Sequence, residues 1–199
     1  LTPISLCTDD LRRSYSEGRA DFEATLKQST TTIKNEIARM TRLLDQFVSF
    51  ARMPSPTKID VSVPSFVDDL GSLYKTEIEA GTLALQIESR RKALLIDPEQ
   101  IKQLIINLIK NARETGGHTT ILHLSDADNT FVIGVEDSGP GFSAEKLANP
   151  FEPYVSTKQD GSGLGLVICQ RIAIDHGGTI EVYNRPEGGA GVRVTLPQN

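Results

Sequence analysis

From Asp21 to Arg52 the apolar residues Leu26, Ile33, Ile37, Met40, Leu44, Phe47 and Ala51 recur at steps of three and four, with Thr30 filling the one gap. Such steps keep side chains on one stripe of a helix, and a stripe sustained over several heptads makes a seam along which helices pair. No glycine or proline interrupts it. Met53-Pro54-Ser55-Pro56 ends it, because a proline ring pushes the preceding residue out of the helical region. The pattern predicts a helix of about 30 residues. Leu1 to Tyr15 reads as a shorter helix ending near Glu17-Gly18, so the two should fold back as an antiparallel hairpin. Two helices alone bury little. A dimer closing into a four-helix bundle is the economical solution, and packing of the hairpin on its own globular domain is the alternative.

After the prolines the period changes to mixed helix and strand. The sequence predicts a helix over 64–80, strands at 83–88 and 93–96, and a helix from Pro98 to about Thr115, capped by Asp97 with proline in its first turn. Strands follow at 119–125 and 130–136, joined by the turn Asp126-Ala127-Asp128-Asn129. A further helix ends at Gly177-Gly178, and strands at 179–183 and 192–196 close the chain around a glycine turn. The expected fold class is α+β, a helical hairpin over 1–56 followed by an α/β sandwich over 57–199. Residues 138–162 are irregular and rich in Gly, Pro and Ser, and a loop of that length is uncommon unless it is functional.

The chemistry lies in and around that loop. In "IKQLIINLIKNA", Ile101, Leu104, Ile105 and Leu108 take one helix face, while Asn107 and Asn111, four apart, project side by side on another. Two amide oxygens suit Mg²⁺ when phosphates and water complete its shell, and Lys110 adds charge; two polar residues on a solvated face are the alternative. "VEDSGPGF" sets Asp137 at a strand end before Gly139 and Gly141. A carboxylate at the back of a pocket can accept from an exocyclic amine such as that of adenine, although the stretch also suits a plain turn. "FEPYVSTK" offers Phe151 and Tyr154 as apolar anchors for a mobile loop, with Ser156, Thr157 and Lys158 as donors toward phosphate. "DGSGLGLVICQRI" puts Gly161, Gly163 and Gly165 in front of a helix, whose exposed N–H groups and dipole suit an anion; an unliganded glycine turn is the other reading.

Composition narrows the classes. The net charge of −5 argues against a general binder of nucleic acid or membrane surfaces. Cys7 and Cys169 stand far apart, which suggests neither a disulfide framework nor a zinc site and fits a reducing, cytoplasmic compartment. No apolar run reaches the roughly 18 residues of a bilayer span, so a soluble segment is expected, with room for an inner-membrane anchor in a longer parent.

Taken in order, paired Asn on a helix, Asp-x-Gly-x-Gly, Phe-x-Pro and Gly-x-Gly-x-Gly resemble the ATP-binding catalytic domain of bacterial sensor histidine kinases, a GHKL (Bergerat-type) fold. "QLIINLIKNA" is similar to the N box, "DSGPGF" and "GSGLGL" to the two glycine boxes, and "FEPY" to the F box, all within residues 97–197. The resemblance implies ATP between the central helix and the long loop, or lid. Asp137 would meet the adenine amine and Asn111 with Asn107 would hold Mg²⁺. Lys158 and the stretch Gly161, Ser162, Gly163, Leu164, Gly165 and Leu166 would cradle the phosphates. Hydrolases of the same fold resemble one another in carrying Glu at the place of Asn107; an amide has no useful basicity, so Asn107 favours transfer over hydrolysis. The spacing is neither that of a Walker loop, which ends in Gly-Lys-Ser/Thr, nor of a dinucleotide GxGxxG. Glu114 departs from the family, where many members have a basic residue.

Histidine kinases accept phosphate on a hairpin histidine within a stretch like His-Glu-Ile-Lys-Asn-Pro-Leu-Thr-Pro-Ile, and this chain opens Leu1-Thr2-Pro3-Ile4. The expectation is an acceptor six positions ahead of Leu1, and therefore no self-phosphorylation by these residues. His118, His123 and His176 all fall after the hairpin and are expected to be ordinary surface or helix-end residues. "FARMPSP" at the hairpin exit looks most like the nitrogen-regulation (NtrY-type) branch. The implied partners are a second copy of the hairpin and the receiver domain of a response regulator.

Overall fold

The computed structural model describes residues 2–114, 117, 119–153 and 163–198. The chain divides into two compact units, a helical hairpin up to Met53 and a mixed unit from Pro54 onward.

In the hairpin, α1 (Thr2–Ser16) and α2 (Phe22–Ala51) follow the predicted stripes. The turn closes by Arg19 N–H donating to the Ser14 carbonyl at 3.1 Å, with Gly18 at φ +61°, and the Tyr15 and Phe22 rings meet at 5.8 Å. Among the described residues of the hairpin the small side chains Ser14 and Ser29 are buried, whereas Leu26, Ile37, Leu44 and Phe47 of the seam stay between 40% and 60% exposed. One hairpin therefore leaves most of its apolar stripe in water.

The second unit runs β1 (Ile59–Ser62), α3 (Val63–Leu73), α4 (Lys75–Glu79), β2 (Leu83–Ile87), β3 (Ala93–Ile96), α5 (Pro98–Arg113), β4 (Thr120–Ala127), β5 (Thr130–Asp137), α6 (Ala144–Ala148), α7 (Gly165–Asp175), β6 (Thr179–Asn184) and β7 (Ala190–Pro197). Five strands form one sheet in the order β2-β4-β5-β7-β6, antiparallel except for β2 beside β4, and β1 pairs with β3 as a separate ribbon. Helices α5 and α7 pack on each other and on the sheet, making two layers in an α+β architecture. Their shared core includes Leu104, Leu108, Ile133, Cys169, Ile172 and Val194, all 1% exposed or less. Burying such a side chain contributes roughly 1.5–3 kcal/mol.

Three local outcomes differ from the pattern. The helix expected over 64–80 is two helices, because Tyr74 leaves helical geometry at φ −110° with its ring buried. Strand β1 was not predicted; its four residues pair only with the distant β3. Within the irregular stretch, Ser143 caps the short α6 by accepting from Lys146 N–H at 3.2 Å.

Asp97 does more than cap. Its Oδ1 accepts the Glu99 and Gln100 N–H groups at 3.1 Å, a cap worth about 1 kcal/mol. Its Oδ2 accepts Thr57 N–H at 2.9 Å, and Gln100 Nε2 donates to the Pro54 carbonyl at 3.0 Å. The Asp97 N–H in turn donates to His176 Nε2 at 3.1 Å, while Nδ1 of that ring lies 2.8 Å from the Ile172 carbonyl and is the protonated nitrogen. Lys58 Nζ donates to the His176 carbonyl at 3.0 Å. His176 does end α7, but at 3% exposure it is a core residue rather than a surface one.

Candidate functional site

The rotation of α5 is fixed by Ile101, Leu104, Ile105 and Leu108, each 1% exposed or less. With those positions inward, Asn107 and Asn111 share a neighbouring face one turn apart. Asn107 Nδ2 is buried and has no hydrogen-bond partner among the described residues. An unpaired buried amide costs about 1–3 kcal/mol, a cost that a polar ligand would remove.

Helix α7 begins against the same face. A Cβ on Gly165 would stand 3.2 Å from Asn111 Nδ2 and 3.3 Å from Oδ1, so a glycine here lets the start of the helix lie on the Asn111 carboxamide. Among the described residues no side chain caps α7, and its first-turn N–H groups open beside Asn111. Gly163 precedes it at φ +67°, and Leu164 and Leu166 are buried, holding this entry to the core by their side chains.

Asp137 closes β5 and is 4% exposed. Its Oδ1 accepts the Gly139 N–H at 2.7 Å and the Ala190 N–H at 3.3 Å, which aims the carboxylate from both sides. The chain leaving α5 lies against the turn that follows: Thr119 N–H donates to Ser138 Oγ at 3.1 Å, and a Cβ on Gly117 would stand 2.8 Å from Gly139 N. Thus the C-terminal half of α5 is bounded on one side by the start of α7 and, past its end, by the Asp137 turn. Gly141 and the half-buried Phe151 continue along the loop.

Lys110 lies elsewhere on α5. Its ammonium is 3.9 Å from Glu114, and it lines a cavity of about 430 Å³ with Tyr74, Ile106, Ile109, Arg113 and Glu114, on the flank next to the asparagine face. Tyr154, Ser156, Thr157, Lys158, Gly161, Ser162 and His118 lie outside the described residues.

Sequence reasoning missed Asn184 and Arg185. Asn184 Oδ1 accepts Phe142 N–H at 2.7 Å and its Nδ2 donates to the Phe142 carbonyl at 2.9 Å, while Arg185 donates to the Asp137 carbonyl at 3.2 Å. Their only signal, a strand-final Asn before a Gly-rich turn, is shared by many hairpins that do nothing else.

Among the described residues no three His, Cys, Asp or Glu side chains come together as a metal cage. A divalent cation at this site would rest on the two amides and on oxygens brought by a ligand, the habit of Mg²⁺ rather than Zn²⁺. A carboxylate fixed by backbone donors, a pair of amides and an uncapped helix start suit a ligand with an amine at one end and phosphates at the other.

The chain is 30% identical over 206 residues to the nitrogen regulation protein NtrY of Azorhizobium caulinodans, a match covering 98% of this chain and 27% of that protein. It is similar to the solved structure of histidine kinase ThkA in complex with response regulator TrrA, with TM-score 0.71 and 24% identity over 99% of this chain and 58% of that one. It also resembles full-length ShkA in complex with AMPPNP, with TM-score 0.69 and 23% identity over 87% of this chain and 39% of that one. The chain spans about a quarter of the length of NtrY. Residues 96–199 match the family of histidine kinase-, DNA gyrase B- and HSP90-like ATPases, and the chain belongs to that family.

Proposed function

We propose that this chain is the hairpin and the ATP-binding unit of a sensor histidine kinase, which transfers the γ-phosphate of ATP to a histidine and from there to an aspartate of a response-regulator receiver domain. The observation that carries the reading is the contact of Asn111 with the uncapped start of α7, one helical turn from an Asn107 amide that has no partner among the described residues, inside the segment that matches the family. Its likeness to kinases of known structure, one holding AMPPNP and one holding a response regulator, supports the same assignment.

Asp137 accepts the adenine amine in this reading, and the backbone around Gly163 to Leu166 faces the phosphates, with Thr157, Lys158, Gly161 and Ser162 completing that side. Asn111 and Asn107 hold Mg²⁺, which supplies charge neutralisation on the transferred group. Phe151 and Tyr154 anchor the lid. Asn107 carries an amide where a hydrolase needs a base, so water is not activated and transfer to a positioned imidazole wins. Neither described histidine is the acceptor in this reading: His176 is buried with both ring nitrogens engaged, and His123 on β4 lies 3.6 Å from Glu136 on β5. The hairpin, residues 1–56, is the dimerisation element, and the site of action is the cytoplasm; no described helix is long and apolar enough to cross a membrane.

Calorimetry with AMPPNP, with and without Mg²⁺, tests the site. Wild type binds, Mg²⁺ tightens the complex, and Asn111→Ala removes the Mg²⁺-dependent part; absence of binding by the wild type would end the proposal. Incubation with γ-labelled ATP leaves the chain unlabelled, and acid-labile label on it would refute the assignment of the acceptor.

A further inference from the structure

Six residues, Asp137 to Phe142, form the turn on which recognition of the base depends in the reading above; Thr119 pairs with Ser138 inside it, and the end of β6 holds both of its ends. Asn184, the last residue of β6, grips the far end: its carboxamide accepts from and donates to the backbone of Phe142, at 2.7 Å and 2.9 Å. Arg185, the next residue, grips the near end by donating to the Asp137 carbonyl at 3.2 Å, with its own Nε fixed 3.1 Å from Glu136. Between them Gly141 runs at φ +83°, and a Cβ there would stand 2.8 Å from Asn184 Oδ1. The glycine thus serves the clamp as well as the bend: it lets the turn lie flat on the Asn184 side chain. A little further along, Ala190 N–H donates to Asp137 Oδ1 at 3.3 Å, so the hairpin between β6 and β7 also sets the carboxylate.

Two adjacent side chains that bind both ends of a six-residue turn fix its shape before any ligand arrives. Within the turn, Gly139 N–H donates to Asp137 Oδ1 at 2.7 Å. We infer that Asn184 and Arg185 are positioning residues for purine recognition, acting through the Asp137–Phe142 turn and setting the preference for a base that offers an exocyclic amine. This rests on the nucleotide reading and deepens it: preorganisation of the turn lowers the ordering cost of binding, and the part lost on removing the clamp is the part read by Asp137. The phosphate end, at Asn111 and α7, is untouched.

The test compares ADP with IDP, which carries a carbonyl in place of the amine, by calorimetry on wild type, Asn184→Ala, Asn184→Asp and Arg185→Ala. Asn184→Asp keeps the acceptor for Phe142 N–H and turns the donor facing the Phe142 carbonyl into an acceptor; together with Arg185→Ala it carries the comparison if Asn184→Ala does not fold. Wild type prefers ADP. In the variants ADP affinity falls roughly tenfold and IDP affinity much less, so the preference narrows, while the melting temperature without nucleotide changes little. A loss shared equally by ADP and IDP would mean a general structural role and overturn the inference, as would an unchanged preference. Wild type that bound neither nucleotide would remove the nucleotide reading and the clamp with it; wild type that binds ADP beside variants of unaltered preference removes the clamp alone.

Discussion

Gly165 answers two opposed demands. As the first residue of α7 it is a poor helix former, and alanine there would gain up to about 1 kcal/mol of helix propensity. A Cβ would also press on the Asn111 carboxamide at 3.2 Å, tighter than ordinary contact. Gly165→Ala should therefore hold or raise the melting temperature while weakening Mg²⁺-dependent nucleotide binding several-fold, and thermal melts with and without ligand separate the two. Equal effects on both would show that Asn111 is not displaced. At this scale the sequence told much: Asn107, Asn111 and Asp137 stand in short motifs whose spacing states their geometry. It was silent on Asn184 and on the partners of His176. Their partners, Phe142 and Asp97, lie 42 and 79 residues away, and no local pattern encodes a contact made only by the finished fold.

Among the elements, α2, α5 and the strand pairs were legible because their periods and stops are local: Pro54 ends one helix and Asp97-Pro98 starts another. β1 and the break at Tyr74 were not, since a four-residue strand shows too few alternations and a buried ring is a tertiary event. The join between α5 and α7 carries a pH dependence. Burial pushes the His176 pKa below its ordinary value, with Lys58 adding to the fall; the Ile172 carbonyl, Asp97 and Asp175 oppose it. The unfolded chain therefore binds the proton more readily than the fold, so the stability from the neutral ring is complete above about pH 6.5 and is lost as pH falls below it. Protonation also leaves the Asp97 N–H facing a donor. Urea unfolding at pH 7.5 and 5.5 should show a larger acid loss for wild type than for His176→Gln, which takes no proton; equal losses would place the effect elsewhere.

For the molecule as a whole, Leu26, Ile37, Leu44, Phe47 and Val48 remain exposed on one helix, more apolar surface than a lone hairpin keeps in water at low cost. Sedimentation should find a dimer, and Ile37→Glu with Leu44→Glu should give monomers that still bind nucleotide, because Asn107, Asn111, Asp137 and Gly165 belong to the other unit. A wild-type monomer across micromolar concentrations would reject the four-helix bundle.

The contacts of Pro54, Thr57 and Lys58 with Asp97, Gln100 and His176 have a thermodynamic corollary. The backbone leaving the coiled seam is moored to the N-terminal end of α5 and the C-terminal end of α7, whose opposite ends present Asn111 and Gly165. Occupancy at those opposite ends and the grip on the moorings are then reciprocal: a nucleotide that stiffens the helix pair slows hydrogen exchange at the Thr57 amide, and Asp97→Ala, which cuts one of the moorings, loosens the nucleotide.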